Sequence, residues 1–477
     1  MQRLARQAGS FFEIGQWTYA AMEVWLGGWM RPPTLKQRAA ERLQALLNIA
    51  RKGTPFYGAL YRDLPAEGVP LSALPIVTKK MLMADLPATL TDRTISRGEL
   101  DDFVADANRV GQAFRGRYAV WTSSGTSGEP GIFLHDATAV AIYEALETLR
   151  FRGVTSLADY AVRVFAGERF AMVAATGGHF AGVASIEHLR RNYPWLASCM
   201  RTFSLLTPVK ELVARLNSYR PTLLATYPTA AELLADEQEA GRLHLQLAEL
   251  WTGGECLAPC VQARLQSVFG CRVRNSYGAS EFLSIAYACV HGAMHVNADW
   301  VTLEPVDAQY RPVSPGTPSH TTLLTNLANR AQPLIRYDLG DSITVLPAPC
   351  ACGSLLPAIR VEGRHDDVLR LSDRRGVMVK LLPLVLTTVL EDDAHVHDFQ
   401  LMQTGPRTLR VALGAEPPEA GERVRMALAA YLAQQDISGV VIETDRLAPQ
   451  RSFTSGKLRR VVYSVCSEAP VPEPVHS

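Results

Sequence analysis

Between residues 171 and 275, short apolar runs alternate with helical patterns, and this alternation constrains the fold more than any other feature. Ala171–Ala175 reads as a buried strand. Pro221–Thr226 (PTLLAT) reads as a second, followed by a helix over Ala230–Ala240. Leu247–Thr252 is a third, with a helix near Ala258–Phe269 behind it, and Arg272–Asn275 is a fourth. Strands separated by amphipathic helices imply βαβ units and a mainly parallel sheet. The expected fold class is therefore α/β.

The flanking regions read differently. Residues 10–60 are expected to be helical. From about residue 295 to Ile359, short strands separated by Pro and Gly suggest a β-rich subdomain. After VEGRHDDVLRL (361–371) comes a compact α+β region: Asp398–Thr404 and Thr408–Leu413 as a hairpin, Gly421–Gln435 as a helix, Gly439–Thr444 as a strand. The last ten residues, EAPVPEPVHS, are Pro-rich and expected to be disordered. A chain of 477 residues is long for one core. The expected division is 1–362 as a large domain, 363–467 as a small C-terminal domain and 468–477 as a tail.

Charge and cysteine content exclude some functions. The net charge of +1 gives no bulk field for nucleic acid or an anionic membrane. Eight cysteines in so long a chain make no dense disulfide framework, which favours a reducing, cytoplasmic setting. Phe11–Met30 is apolar and aromatic, but Glu13, Gln16 and Glu23 interrupt it. It is expected to be an amphipathic helix packed on the body or on a second copy of the chain, with membrane-surface contact the less favoured reading. No stable membrane span and no signal peptide are expected from it.

The chemistry concentrates in a few loops. WTSSGTSGEPGIFLHD (Trp121–Asp136) lacks the lysine of a Walker loop and runs into a strand-like segment. It reads as a hairpin turn between Tyr118–Thr122 and Gly131–His135. Its glycines let backbone N–H groups converge on an anion, and Ser123, Ser124, Thr126 and Ser127 add hydroxyl donors. The plainer reading is a flexible surface turn. TGGE (252–255) and NSYGASE (275–281) follow successive strands, where open α/β sheets bind ligands. Tyr277 offers a ring for a base, and Glu281 a hard oxygen for Mg²⁺. RYDLGD (336–341) sets Asp341 where a carboxylate can accept ribose hydroxyls, and PQRSFTSGKLRR (449–460) puts Lys457 on a glycine-containing loop. Singly, Tyr277 is as readily a core residue, Asp341 a turn residue and Lys457 a solvated charge. Their common order along the chain is much harder to assign to chance.

In that order the segments resemble the motif series of the adenylate-forming superfamily, which includes acyl- and aryl-CoA ligases, peptide-synthetase adenylation domains and luciferases. The short length, Tyr227–Pro228, and CACGSLLPAIRVEGRHDD (350–367) resemble its phenylacetate-CoA ligase-like branch. The resemblance implies that an acid is adenylated by ATP, and that the acyl group then passes to coenzyme A or a carrier pantetheine. It places Ser123, Ser124, Gly125, Thr126, Ser127 and Gly128 on the phosphates. Gly254, Glu255, Asn275, Ser276, Tyr277, Gly278 and Ser280 fall around the nucleotide, and Asp341 and Arg364 on the ribose. Glu281 holds Mg²⁺, Lys457 is the catalytic cation, and Asp366 or Asp367 is the hinge about which the C-terminal domain turns as a lid. Two positions depart from close relatives: Glu129 stands where many have lysine, and 370–386 carries extra residues where many have a compact glycine turn.

Cys289, His295, Cys350 and Cys352 form a donor set for a closed, structural Zn²⁺ site, of a kind several members of that branch carry. His291 is a rival for the imidazole position, and four unrelated reduced residues are the plain alternative. For the acyl pocket, His179, Phe180, Tyr227, Pro228 and Gly253 suggest a flat apolar slot for an aromatic acid, with a purely structural His179 equally open. Transfer to an acyl carrier protein or an amine, AMP transfer to a cofactor such as a deazaflavin, and a degenerate nucleotide-binding protein remain alternatives. Homodimerisation is compatible with the apolar N-terminal segment.

Overall fold

The computed structural model describes residues 2–65, 68–123, 131–153, 167–362, 367–450 and 459–464, the side chains of 2–14, 194 and 195 excepted. The chain divides into two compact units, Met1–Arg364 and His365–Ser477.

The first unit opens with the helices Gln2–Gly28, Pro32–Gly53 and Pro55–Leu60. Ala20 and Val24 of the first are buried in the main apolar cluster, while Tyr19, Met22, Trp25, Leu26 and Trp29 stay exposed. Gly27 sits against the ion pair of Arg150 and Asp299: a Cβ there would lie 2.5 Å from Asp299 Oδ2. The helix can approach that closely only because this position has no side chain. Among the described residues, no helix is long and apolar enough to cross a membrane.

A hairpin follows: β1 (Tyr118–Ser123) pairs antiparallel with β2 (Gly131–Asp136), with Ser123 opposite Gly131. The large sheet uses β3 (Phe170–Ala174), β4 (Met200–Ser204), β5 (Leu223–Thr226), β6 (Glu249–Thr252) and β7 (Arg272–Ala279). These run parallel in the order β4-β3-β5-β6-β7. The helices Pro228–Glu239 and Pro259–Phe269 make the crossovers out of β5 and β6. Strand β4 and the helices Ala181–Asn192 and Val209–Tyr219 were not distinguished in the sequence. The burial of β4 is mostly partial, so it carries a weak apolar signal.

Two expectations change. NSYGASE is not a loop after its strand, because β7 continues to Ala279. Its parallel pairing to β6 ends at Asn275, and from Ser276 it pairs antiparallel with β8 (Phe282–Ala288), bulging between Tyr277 and Ala279. The segment thus projects beyond the carboxyl edge of β6 while remaining tied by ladder hydrogen bonds. The β-rich region is not wholly separate either. Strands β8, β9 (Met294–Val296), β14 (Ala358–Val361) and β13 (Ile343–Val345) extend the same sheet antiparallel, giving nine strands among the described residues. Only β10 (Val301–Val306), β11 (Thr321–Asn326) and β12 (Tyr337–Asp338) form their own sheet.

The second unit contains a small hairpin, β15 (Leu369–Ser372) with β16 (Met378–Leu381), covering most of the extra residues after the hinge motif. Its turn is closed by Asp373, whose carboxylate accepts from the N–H groups of Arg375 and Val377. A four-stranded sheet follows in the order β19-β18-β17-β20, from β17 (Gln400–Gly405), β18 (Thr408–Ala412), β19 (Val441–Asp445) and β20 (Val461–Tyr463), with the helix Ala420–Gln434.

Candidate functional site

The register of the parallel strands assembles the first wall. Thr226 lies opposite Thr252, and Thr252 opposite Asn275, so Tyr227–Pro228, Gly253–Glu255 and Ser276–Tyr277 emerge side by side. Glycine is required here by close approach. A Cβ on Gly254, which has φ +77°, would lie 3.1 Å from the Tyr227 ring, and one on Gly253 3.0 Å from Ser276 Oγ. Gly278 is tighter still: a Cβ would sit 1.9 Å from the Leu283 carbonyl oxygen. Thr252 Oγ1 donates to Asn275 Oδ1 at 3.1 Å. The Glu255 carboxylate accepts from Thr229 N and Oγ1, both at 3.0 Å. It thus caps the helix Pro228–Glu239, whose own N-cap Tyr227 makes no side-chain cap bond.

The second wall is a set of carboxylates and phenols from distant segments. Tyr277 Oη donates to Asp341 Oδ2 at 2.9 Å, and Tyr337 Oη donates to Glu281 Oε1 at 2.8 Å. Burial raises the Glu281 carboxyl above its ordinary range, while the positive charge of Lys79 and the Tyr337 hydrogen bond pull it down. Tyr277 is pushed well above the usual phenol range by burial first and by Asp341 second, so it stays a donor. Backbone anchors hold these residues: Asn326 Nδ2 donates to the Glu281 carbonyl and Thr322 Oγ1 to the Asp341 carbonyl, each at 2.8 Å.

Thr122, at the base of the Ser/Gly loop, joins both walls. Its N–H donates to the His179 carbonyl at 2.8 Å, and its carbonyl accepts from Ser280 Oγ at 2.8 Å. GGHFAG (177–182) is therefore stitched beside the hairpin. The His179 ring is buried, packs on Phe103 and reaches the Asp106 carbonyl at 3.4 Å, while burial holds its pKa down. Ser123 Oγ is buried and has no partner among the described residues. Ser124, Gly125, Thr126, Ser127, Gly128, Glu129, Arg364, Asp366 and Lys457 lie outside the described residues. Asp367 does not: its N–H donates to the Val461 carbonyl, its carboxylate accepts from Tyr463 N at 2.9 Å, and it pairs with Arg459.

Three residues at this site were missed by sequence reasoning. Lys79 is brought to Glu281 because Val77 bridges Tyr337, and because the buried Arg336 donates to the Ser72 and Leu74 carbonyls while pairing with Glu304. Tyr337 lies inside RYDLGD, and its vicinity to Asp341 was the available signal. His135 donates from Nε2 to the Ser280 carbonyl at 2.9 Å and accepts at Nδ1 from Tyr143 Oη at 3.2 Å. Burial pushes its pKa down to about 3, so it is a fixed neutral brace.

A second cluster lies at the end of the antiparallel strands. The donor atoms of Cys289, His295, Cys350 and Cys352 all lie within 4.8 Å of one another. Cys289 and Cys350 sulfurs are 3.6 Å apart, and Cys352 Sγ is 3.2 Å from His295 Nε2. A tetrahedral zinc with Zn–S of 2.3 Å would set sulfurs about 3.8 Å apart, so the set has the right size. His295 Nδ1 donates to the Leu356 carbonyl at 3.1 Å, leaving Nε2 as the coordinating nitrogen. The rival His291 is not in this group; its backbone N–H points to Cys289 Sγ at 3.4 Å.

The family of AMP-binding enzymes matches residues 195–322. A phenylacetate-coenzyme A ligase of Thermus thermophilus is 28% identical over 284 residues, covering 52% of this chain and 62% of the relative. The match therefore spans less than two thirds of that relative's own length. Among solved structures, a 2-hydroxyisobutyryl-CoA ligase with 2-HIB-AMP and CoA in the thioesterification state has a TM-score of 0.58 at 20% identity, covering 92% of this chain and 91% of that one. The same ligase in its postadenylation state with 2-HIB-AMP has a TM-score of 0.55 at equal identity and coverage. At that identity the likeness speaks for the fold. The family match over 195–322 and the curated relative make the chain similar to AMP-binding enzymes, and the solved ligases share its fold.

Proposed function

We propose that this protein activates a carboxylic acid with ATP and transfers the acyl group to the thiol of coenzyme A. The observation that carries the reading is the convergence of Tyr277, Glu281 and Asp341, each fixed by a partner, at the carboxyl edge of β6 and β7. Tyr277 packs on adenine, Asp341 accepts the ribose hydroxyls, and Ser123 with the following Ser/Gly loop donates to the phosphates. Ser123 Oγ, which has no partner among the described residues, suits that role. Glu281, a buried hard oxygen, would hold Mg²⁺, which supplies charge neutralisation on the triphosphate.

The acid's carboxylate attacks the α-phosphorus. The bond from that phosphorus to the bridging oxygen breaks, and pyrophosphate leaves with the electron pair. The thiol sulfur, losing its proton, then attacks the acyl carbon, and AMP departs. A carboxylate is already a competent nucleophile, so the work is positioning it against a polyanion. In this reading Lys457 supplies the cation at the α-phosphate, Asp366 or Asp367 is the hinge, and the Cys₃His cluster is a structural zinc site. Phe180, Tyr227 and the glycines beside them support an aromatic acid. The relative named for phenylacetate points the same way.

The test is pyrophosphate release across aromatic and aliphatic acids, with and without coenzyme A. Release that requires an aryl acid and accelerates with coenzyme A is expected. Release indifferent to coenzyme A would move the acceptor to a carrier protein or an amine. No release with any acid would leave cofactor adenylylation or simple nucleotide binding.

A further inference from the structure

We propose that His135, Tyr143 and Asn326 are positioning residues for Glu281, joined in one hydrogen-bonded chain that grips both carbonyls of the turn carrying it; this rests on the ligase reading above. Ser280 and Glu281 are the two residues between β7 and β8, where Ala279 pairs with Phe282. His135 Nε2 donates to the Ser280 carbonyl at 2.9 Å, and Asn326 Nδ2 donates to the Glu281 carbonyl at 2.8 Å. Tyr143 joins these two ends. Its hydroxyl lies 3.2 Å from His135 Nδ1 and accepts from Asn326 Nδ2 at 2.8 Å.

The direction of each bond in the chain is fixed. Asn326 Oδ1 accepts from the N–H groups of Ala328 and Asn329, at 3.0 and 3.2 Å. The amide nitrogen therefore faces Tyr143 and Glu281, and each of its two protons has an acceptor. The Tyr143 oxygen takes one of them and gives its own proton to His135 Nδ1. His135 then carries its proton on Nε2, the nitrogen that reaches Ser280. The other tautomer would set the Nε2 lone pair against the Ser280 carbonyl oxygen. All three side chains are fully buried, and they come from β2, the helix Ala137–Leu146 and the end of β11. Neighbouring rings clamp them: Trp121 lies 4.1 Å from the His135 ring and Phe282 meets Tyr143 at 4.7 Å.

The turn that the chain grips serves two sides of the site. Ser280 Oγ donates to the Thr122 carbonyl at 2.8 Å, and the Glu281 carboxylate accepts from Tyr337. Rotating either peptide plane of the turn moves the Glu281 carboxylate. A displacement of about 1 Å at a group that acts by placement can cost about 100-fold in rate. Burial keeps His135 neutral, so it adds no charge to the site and contributes a donor at one fixed point.

The experiment uses the full-length chain, with His135→Gln, His135→Met, Tyr143→Phe and Glu281→Gln. Glutamine and methionine have nearly the same shape, but only glutamine offers an N–H near the place of imidazole Nε2. Acid-dependent pyrophosphate release at varied Mg·ATP and thioester formation from supplied acyl-AMP are measured separately. Melting confirms folding, and nitrogen NMR of ring-labelled histidine reads the His135 tautomer, assigned by its loss in His135→Gln. The wild-type ring should be in the Nε2–H form. His135→Met should lower kcat/KM for Mg·ATP in adenylation by about 10- to 100-fold, and His135→Gln should stay within about 3-fold of wild type. Tyr143→Phe, which keeps its ring and removes only the link, should lower adenylation by about 3- to 10-fold. Thioester formation should stay within about 3-fold of wild type in all three, because no triphosphate takes part in it. Equal losses in the glutamine and methionine variants would reduce His135 to a packing role and overturn the proposal. An Nδ1–H ring in wild type, or full adenylation in Tyr143→Phe, would overturn it even where His135→Met does not fold. Full adenylation in His135→Met beside an impaired Glu281→Gln would overturn it while sparing the ligase reading. Unimpaired adenylation in Glu281→Gln would instead sink the role of Glu281 itself.

Discussion

Replacing Tyr337 by Phe isolates one hydrogen bond at the centre of the site. The Tyr337 hydroxyl is 2.8 Å from Glu281 Oε1, and both side chains are buried. The ring, which meets Phe133 edge-on at 6.0 Å, is retained, so packing is preserved. A hydrogen bond to a charged group is worth about 1.5–3 kcal/mol, so a charged Glu281 becomes costlier by about that amount. If Glu281 must be ionised to hold Mg²⁺, the variant should bind Mg·ATP about 10- to 100-fold more weakly near neutral pH. The sign of the pH effect follows from the raised Glu281 carboxyl. The folded protein holds that proton more tightly than the unfolded chain. Its contribution to stability is present below the unfolded value and is lost as pH rises through the folded one. Tyr337→Phe raises the folded value further and enlarges that loss. The melting-temperature deficit of the metal-free variant should therefore be largest near pH 8 and shrink toward pH 4, and the acid limb of activity should move to higher pH. Calorimetric titration with Mg·ATP and melting from pH 4 to 8 measure both. Unchanged affinity with a pH-independent stability deficit would refute the view that this hydroxyl keeps Glu281 charged.

Gly278→Ala forces a Cβ to within 1.9 Å of the Leu283 carbonyl in a ladder that cannot yield without moving Tyr277. It should cost about 1–3 kcal/mol in chemical denaturation and lower adenylation; a variant of wild-type stability and rate would contradict that geometry. Cys352→Ser should abolish stoichiometric zinc measured by elemental analysis and lower the melting temperature, whereas metal-free wild type indifferent to chelators would end the zinc reading. Burial pushes the Glu147 carboxyl up to about 7 despite a hydrogen bond with Ser284. Being raised, it supplies stability at low pH that is lost as pH rises from about 4.5 through 7. Glu147→Gln should accordingly melt higher than wild type at pH 8 and alike at pH 5, and a pH-independent difference would assign the effect to packing.

The sequence by itself determined the order of chemistry along the chain and most of the βαβ core. Those depend on local signals: apolar runs of strand length, helix periodicity, and glycines at turns such as 252–255. The hairpin around the Ser/Gly loop was legible because its strands alternate about an obvious turn, and the structure pairs Tyr118–Ser123 with Gly131–Asp136. Short half-buried strands such as β4 carry too little periodicity to be read. What only the tertiary structure decided is which side chains meet. Lys79 and Glu281 are 202 residues apart in the chain, yet the Lys79 charge reaches Glu281 because the buried Arg336 staples residues 72–74 onto RYDLGD. Likewise β7 changes partner at Ser276, turning an apparent loop into a strand that presents Tyr277 to Asp341. His295 displaces His291 from the cysteine cluster because pairing of β9 with β14 carries it there. Periodicity encodes which face of an element is buried, but the partner that covers that face is set by sheet order and register, which form only when the chain closes on itself.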